Sequence, residues 1–220
     1  MKNLVKFGEE VEGYDIPVLN EREVRASAGI MFLAISVALV LIITTGDFLV
    51  TKYVVTIFLT DFLIRVFVNP KYSPSLIIGR FIVRNQVPEY VGARQKKFAW
   101  TIGVVLSAIM FIFLVLVNAY SPITGIGCLL CLVFLFFETA FGICLGCKVY
   151  SLLYKGEAQY CPGEVCDKKS KQDIQKISTA QVLIIFGFIT YIILAVLVFN
   201  DYFTKKPYDL FGINSTAQSK

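Results

Sequence analysis

The sequence predicts an all-α fold: a polytopic membrane helix bundle with about five transmembrane helices and one amphipathic cytoplasmic segment. Three observations carry this. Apolar residues make up 56% of the 220-residue chain, the mean hydropathy is +0.70, and the apolar residues fall in uncharged runs long enough to cross a bilayer. A soluble domain of this size has neither the interior volume nor the need for such a composition.

Residues 1–25 mix both charge signs and contain no apolar core of signal-peptide length, so they read as a cytoplasmic lead-in rather than a cleaved signal. Residues 26–46 carry no charge and give the first span. The second, 49–69, is the weakest because it contains Asp61 and Arg65; Asn69-Pro70 closes it. Forty uncharged residues follow from Phe98 to Phe137, too many for one crossing. The turn chemistry of Asn118-Ala-Tyr-Ser-Pro122 divides them into spans at 98–118 and 123–152. The last span falls at 178–200, inside a single membrane domain over 26–203, and 204–220 forms an external tail.

Loop charge orients these spans. Sixteen Lys and Arg residues fall on the face of the amino terminus and four on the opposite face, with Arg65 inside the membrane. The positive-inside rule then makes the amino terminus cytoplasmic and the carboxyl terminus external, in a cell (inner) membrane. Removing the 49–69 span would put the Arg-rich 70–97 loop outside, so the same bias supports that weak span. Within this loop Ser73-Pro74 suits a helix start. Leu76, Ile77, Ile78, Phe81 and Ile82 suit the interface, with Arg80 and Arg84 toward headgroups. A cytoplasmic helix packed under the bundle fits the same pattern.

Six cysteines fall between residues 128 and 166, as the pairs Cys128/Cys131, Cys144/Cys147 and Cys161/Cys166. The topology orders them in depth from outside to inside. Thr124-Gly-Ile-Gly127 leads into the outer pair, placing it near a helix start, where free amides and the macrodipole stabilise thiolate. The inner pair reads Phe141-Gly-Ile-Cys-Leu-Gly-Cys147. In a regular helix its Cβ atoms stand about 5–6 Å apart, against about 3.5–4.5 Å for a disulfide. Gly142 and Gly146 either relax the helix to close that gap or serve close helix packing. Sixteen residues of continuous helix separate Cys128 from Cys144, about 24 Å, too far for direct exchange along one rigid rod.

Asp61 and Arg65 are spaced i,i+4, and Glu138 lies between the two Cys-x-x-Cys pairs at a similar depth. A cluster of Asp61, Arg65 and Glu138 is the expected arrangement, either a structural ion pair or a proton relay. Histidine is absent, which excludes His-ligated haem, His-bound zinc and a His general base. The net charge of +5 serves topology, and nothing points to nucleic acid.

Four segments resemble a bacterial integral-membrane family described as domain of unknown function 4395. They are Asp61-Phe-Leu-Ile-Arg65, Ser73-Pro-Ser-Leu76, Arg94-Gln-Lys-Lys-Phe-Ala99 and Phe141-Gly-Ile-Cys-Leu-Gly-Cys147, within approximately residues 25–155. The resemblance implies a membrane location and no particular reaction. It leaves the last span and the Cys161/Cys166 loop outside the shared core.

The leading reading is a membrane thiol protein passing reducing equivalents or sulfur between the two faces. Cys144 and Cys147 are its principal dithiol, Cys128 and Cys131 the outer partner and Glu138 the proton group. Its surroundings are the lipid bilayer and a thioredoxin-like or sulfur-carrying protein, and it requires no cofactor. A second reading is soft-metal binding or transport: Cys144, Cys147, Cys161 and Cys166 form a four-thiolate set suited to zinc or an iron–sulfur cluster, with copper a further soft metal. A non-catalytic scaffold is the third.

Overall fold

A computed structural model describes residues 7–12, 14, 16–153 and 177–210. Within them the chain is mostly helical, and four helices are long and apolar enough to cross a membrane.

α1, Glu21–Thr45, opens on Asn20, whose side chain accepts the Arg22 amide at 3.2 Å. It closes on Gly46 at φ +66°, the left-handed cap that glycine adopts without penalty. The helix thus begins before the apolar run at residue 26, and Glu21 and Glu23 form its acidic first turn, where the helix dipole favours negative charge. α2, Leu49–Leu63, continues through a π-helical turn, Ile64–Val68, to the stop at Asn69 and Pro70. This stretch carries Lys52, Asp61 and Arg65, all buried, and is not among the four helices long and apolar enough to cross a membrane.

α3, Pro74–Val83, starts as a Ser-Pro cap should: the Ser73 hydroxyl accepts the Leu76 amide, and Pro74 needs no donor at the first position. It lies against α1 so closely that a Cβ on Gly79 would stand 2.5 Å from the Glu23 carbonyl oxygen. That packing corrects one expectation. Arg80 does not face headgroups but turns inward, bonded to Glu23 at 3.1 Å and Glu9 at 2.7 Å. Burial alone would lower its pKa, yet the two carboxylates more than offset this and hold it above the ordinary arginine value. Ile78, Phe81 and Ile82 face outward.

α4, Ala93–Phe111, runs on through a second π-helical turn, Ile112–Leu116. α5, Pro122–Phe141, begins on a reciprocal cap between Ser121 and Thr124. The single helix expected over 123–152 is in fact two. α5 stops at Gly142, φ +64°, whose amide reaches back to the Glu138 carbonyl while the Ile143 amide bonds that of Phe137. This double bond from past a left-handed glycine satisfies the last carbonyls of a helix and turns the chain away. A separate helix, α6, Leu145–Leu153, follows. α7, Thr179–Phe203, has no buried residue in its most apolar stretch and is anchored near its two ends by the buried Gln181 and Phe203.

The helices pack around Met31, Ile35 and Ala38 of α1, Val54, Phe58 and Phe62 of α2, and Trp100 of α4. Small strands tie both ends of the bundle. β1, Val18–Asn20, pairs antiparallel with β2, Tyr90–Gly92, beside the starts of α1 and α4. At the opposite end β3, Ala119–Tyr120, pairs parallel with β4, Tyr208–Asp209. The segment after α7 is therefore docked as far as Asp209.

Candidate functional site

The break in α5 reshapes the inner cysteine pair. Cys144 sits immediately before the first residue of α6, and its Sγ accepts the Cys147 amide at 3.3 Å. A side chain at that position folds back over the third residue of its helix, so the two thiols face each other rather than standing on one helical stripe. Gly146 permits the placement: a Cβ there would stand 2.6 Å from that of Ala99, so α6 rests directly on α4.

Beside the dithiol lies a buried ionic triad. Lys96 Nζ reaches Glu21 at 2.8 Å and Glu138 at 2.5 Å, joining α1, α4 and α5. Glu138 therefore bonds Lys96, not Arg65. Asp61 and Arg65 form their own pair at 2.7 Å. Ser73 and Ser75 donate their hydroxyls to Asp61, and the Ser75 amide adds a third bond. Arg65 reaches Ser27 through Nη2, and its guanidinium lies 5.0 and 5.1 Å from the Phe62 and Trp100 ring centres. Of the expected three-residue cluster the structure joins two and gives the third a different partner.

A cavity of about 80 Å³ connects these parts. Arg65, Trp100, Cys131, Glu138, Cys144 and Gly146 all contribute to its wall. Cys128 does not. It is buried among Val55, Met110 and Leu114 and borders a separate cavity of about 360 Å³ near Gly46 and Lys206. The outer pair also lies deeper in α5 than expected: Cys128 is the seventh residue of the helix, beyond the first turn where free amides act. All four described cysteines are free thiols. Cys161 and Cys166 lie outside the described residues. Among the described residues no group of three or more Cys, Asp or Glu side chains could hold a metal.

Sequence reasoning missed Lys96, Glu21 and Trp100. Lys96 counted as a topology charge and as part of the segment Arg94-Gln-Lys-Lys-Phe-Ala99, without a site role, and Glu21 fell in the charged lead-in. Their separation of 75 residues hid the contact.

Buried charges paired across apolar helices, inside a bundle whose long helices expose Leu, Ile and Phe, define a polytopic helical membrane protein. The chain belongs to the family described as Domain of unknown function (DUF4395), whose model matches residues 19–155. That match runs from within β1 through α6 and includes every residue named above as lining the cavity of about 80 Å³. No curated protein and no solved structure matches the chain.

Proposed function

We propose that this protein exchanges thiols for disulfides within the membrane, passing reducing equivalents or sulfur between its two faces. The observation that carries this reading is the Cys147 amide bond to Cys144 Sγ at the start of α6, with Lys96 and Glu138 alongside. A thiolate is the attacking species, and the helix amide and ammonium group both favour it. Glu138 is the base that accepts the thiol proton. Attack on a partner disulfide forms a mixed disulfide and releases one partner thiol. Cys147 then displaces the second, leaving Cys144–Cys147 oxidised and the partner reduced by two electrons and two protons. A thioredoxin-like or sulfur-carrying protein is the partner class that fits.

Cys131 shares the cavity with Cys144 and is the nearer member of the outer pair, Cys128 lying behind it. Direct exchange cannot span the part of α5 between them, so transfer from Cys144 to Cys131 needs a carrier of only a few non-hydrogen atoms to fit the cavity of about 80 Å³. The helix over residues 49–68 is taken as the second of five crossings, with the amino terminus cytoplasmic in a cell (inner) membrane and the carboxyl terminus outside. Support comes from the sixteen-to-four charge bias.

Alkylation with membrane-impermeant and then permeant reagents, before and after reduction, tests both points by mass spectrometry. Reduction-dependent labelling at Cys144 and Cys147 is expected, with impermeant labelling confined to the outer pair. If Cys144→Ser/Cys147→Ser leaves the redox state of the outer thiols unchanged in vesicles, the exchange reading fails.

A further inference from the structure

We infer that the cavity of about 360 Å³ at the β3–β4 end of the bundle binds a single-chain fatty-acid anion, its chain pointing inward and its carboxylate at Lys206. The wall is graded from polar to apolar with depth. Gly46 closes α1 and Ser121 caps α5, and both stand with Lys206 at the end of the bundle. Seven residues further into each helix come Leu39 and Cys128, about 10 Å down. At that depth Cys128 and Leu114 are buried, and Leu39, Phe48 and Tyr120 pack against the same cluster. The Phe48 and Tyr120 rings stack at 5.4 Å and stiffen one side. The α5 side is open at Gly125, where a Cβ would meet nothing within 4 Å.

Size and charge select the ligand. At about 30 Å³ per non-hydrogen atom, the share of one water in the liquid, the cavity holds about a dozen atoms. One chain of about ten carbons with its carboxylate matches that count, and a two-chain lipid exceeds it. Among the described residues that line the cavity, Lys206 alone is charged. Its Nζ lies 3.7 Å from the place of a Gly46 Cβ and has no hydrogen-bond or ion-pair partner among the described residues. Asp47, the neighbouring acid, does not line the cavity and accepts the Leu49 amide. Ser121 and Thr124 bond each other in the α5 cap, and the Gly125 amide takes the Ser121 carbonyl. The helix start thus spends its polar groups on itself. What is left is an apolar pocket with one cation at its mouth, the arrangement that holds and orients an anionic amphiphile.

Native mass spectrometry of the full chain, released from uncharged detergent micelles, reads bound decanoate as an adduct. At about pH 8 the carboxylate is ionised and the lysine protonated. Saturable binding is expected, about fivefold weaker in Lys206→Gln, the weight of one partly exposed ion pair. Gly125→Leu, whose side chain enters the open space, should abolish it. Decanol should bind the wild-type protein about as weakly as decanoate binds Lys206→Gln. Equal binding of decanol and decanoate to the wild-type protein would overturn the proposal, whether or not either variant folds. Absence of the adduct, or an adduct unchanged in Gly125→Leu, would overturn it too, the second by exposing non-specific association with the micelle. The site is independent of thiol exchange. Cys144→Ser/Cys147→Ser, which removes exchange and leaves this cavity untouched, should keep the adduct, and its loss there would overturn the placement.

Discussion

Cys128 and Cys131 lie on one uninterrupted helix, while Cys144 and Cys147, at the same spacing, straddle the start of another. On α5 the backbone holds the two thiols one turn apart, and each joins a different packing cluster and a different cavity. Across the start of α6 the first thiol precedes the helix, accepts an amide and faces its neighbour. The local electrostatics diverge as well. Cys128 is enclosed by Val55, Met110 and Leu114, whereas the inner pair sits beside an ammonium group flanked by two carboxylates. A spacing of two residues thus specifies no chemistry until the backbone between the thiols is known.

The same contrast extends to the buried lysines at the two ends, and it gives the largest expected effect. Lys96→Met leaves Glu21 and Glu138 buried without a counter-ion, at a cost of about 3–5 kcal/mol. Unfolding by denaturant in detergent micelles measures it. Lys52→Met at the opposite end strands no carboxylate, because among the described residues the Lys52 ammonium bonds the Asn118 side chain and the carbonyls of Phe203 and Lys205. It should cost about 1–3 kcal/mol, the penalty of orphaned polar groups. Equal losses from both substitutions would erase the distinction between the ends.

Gly146→Val tests the seating of α6. Its side chain would enter space already filled by Ala99, costing about 1–3 kcal/mol or shifting the helix, and it should alter the alkylation rate of Cys147. Gly142→Ala imposes a left-handed conformation on alanine against the Arg25 guanidinium, for about 1–2 kcal/mol. The smallest effect belongs to the outer region. Gly125→Ala meets no neighbour within 4 Å and should change stability by less than about 0.5 kcal/mol. Thermal scans of the three purified variants rank them.

The fold was legible because uncharged runs, turn residues and loop charges are local or additive signals. The helix break was not, although its marker was present. Gly142 follows a helical run and precedes a second one, as a left-handed cap requires, but glycine is common in membrane helices for packing reasons. At Gly146, packing is the reason. The candidate site was half legible: i,i+4 spacing places Asp61 against Arg65, while the partner of Glu138 depends on how α4 meets α5. A lysine next to a span looks the same in sequence whether it faces water or turns inward, and only Lys96 of Lys96-Lys97 is fully buried.

The anchoring of Lys52 also sets an order of assembly. Its carbonyl acceptors lie 151 and 153 residues further along the chain. A ribosome delivers α2 to the membrane long before it has made Phe203 and Lys205, so this ammonium group has to wait, hydrated or bound elsewhere, through the synthesis of the five described helices α3 to α7. Completion of α7 is what closes the bundle at that end, and a chain halted before residue 205 would leave a cation unsheltered at the membrane.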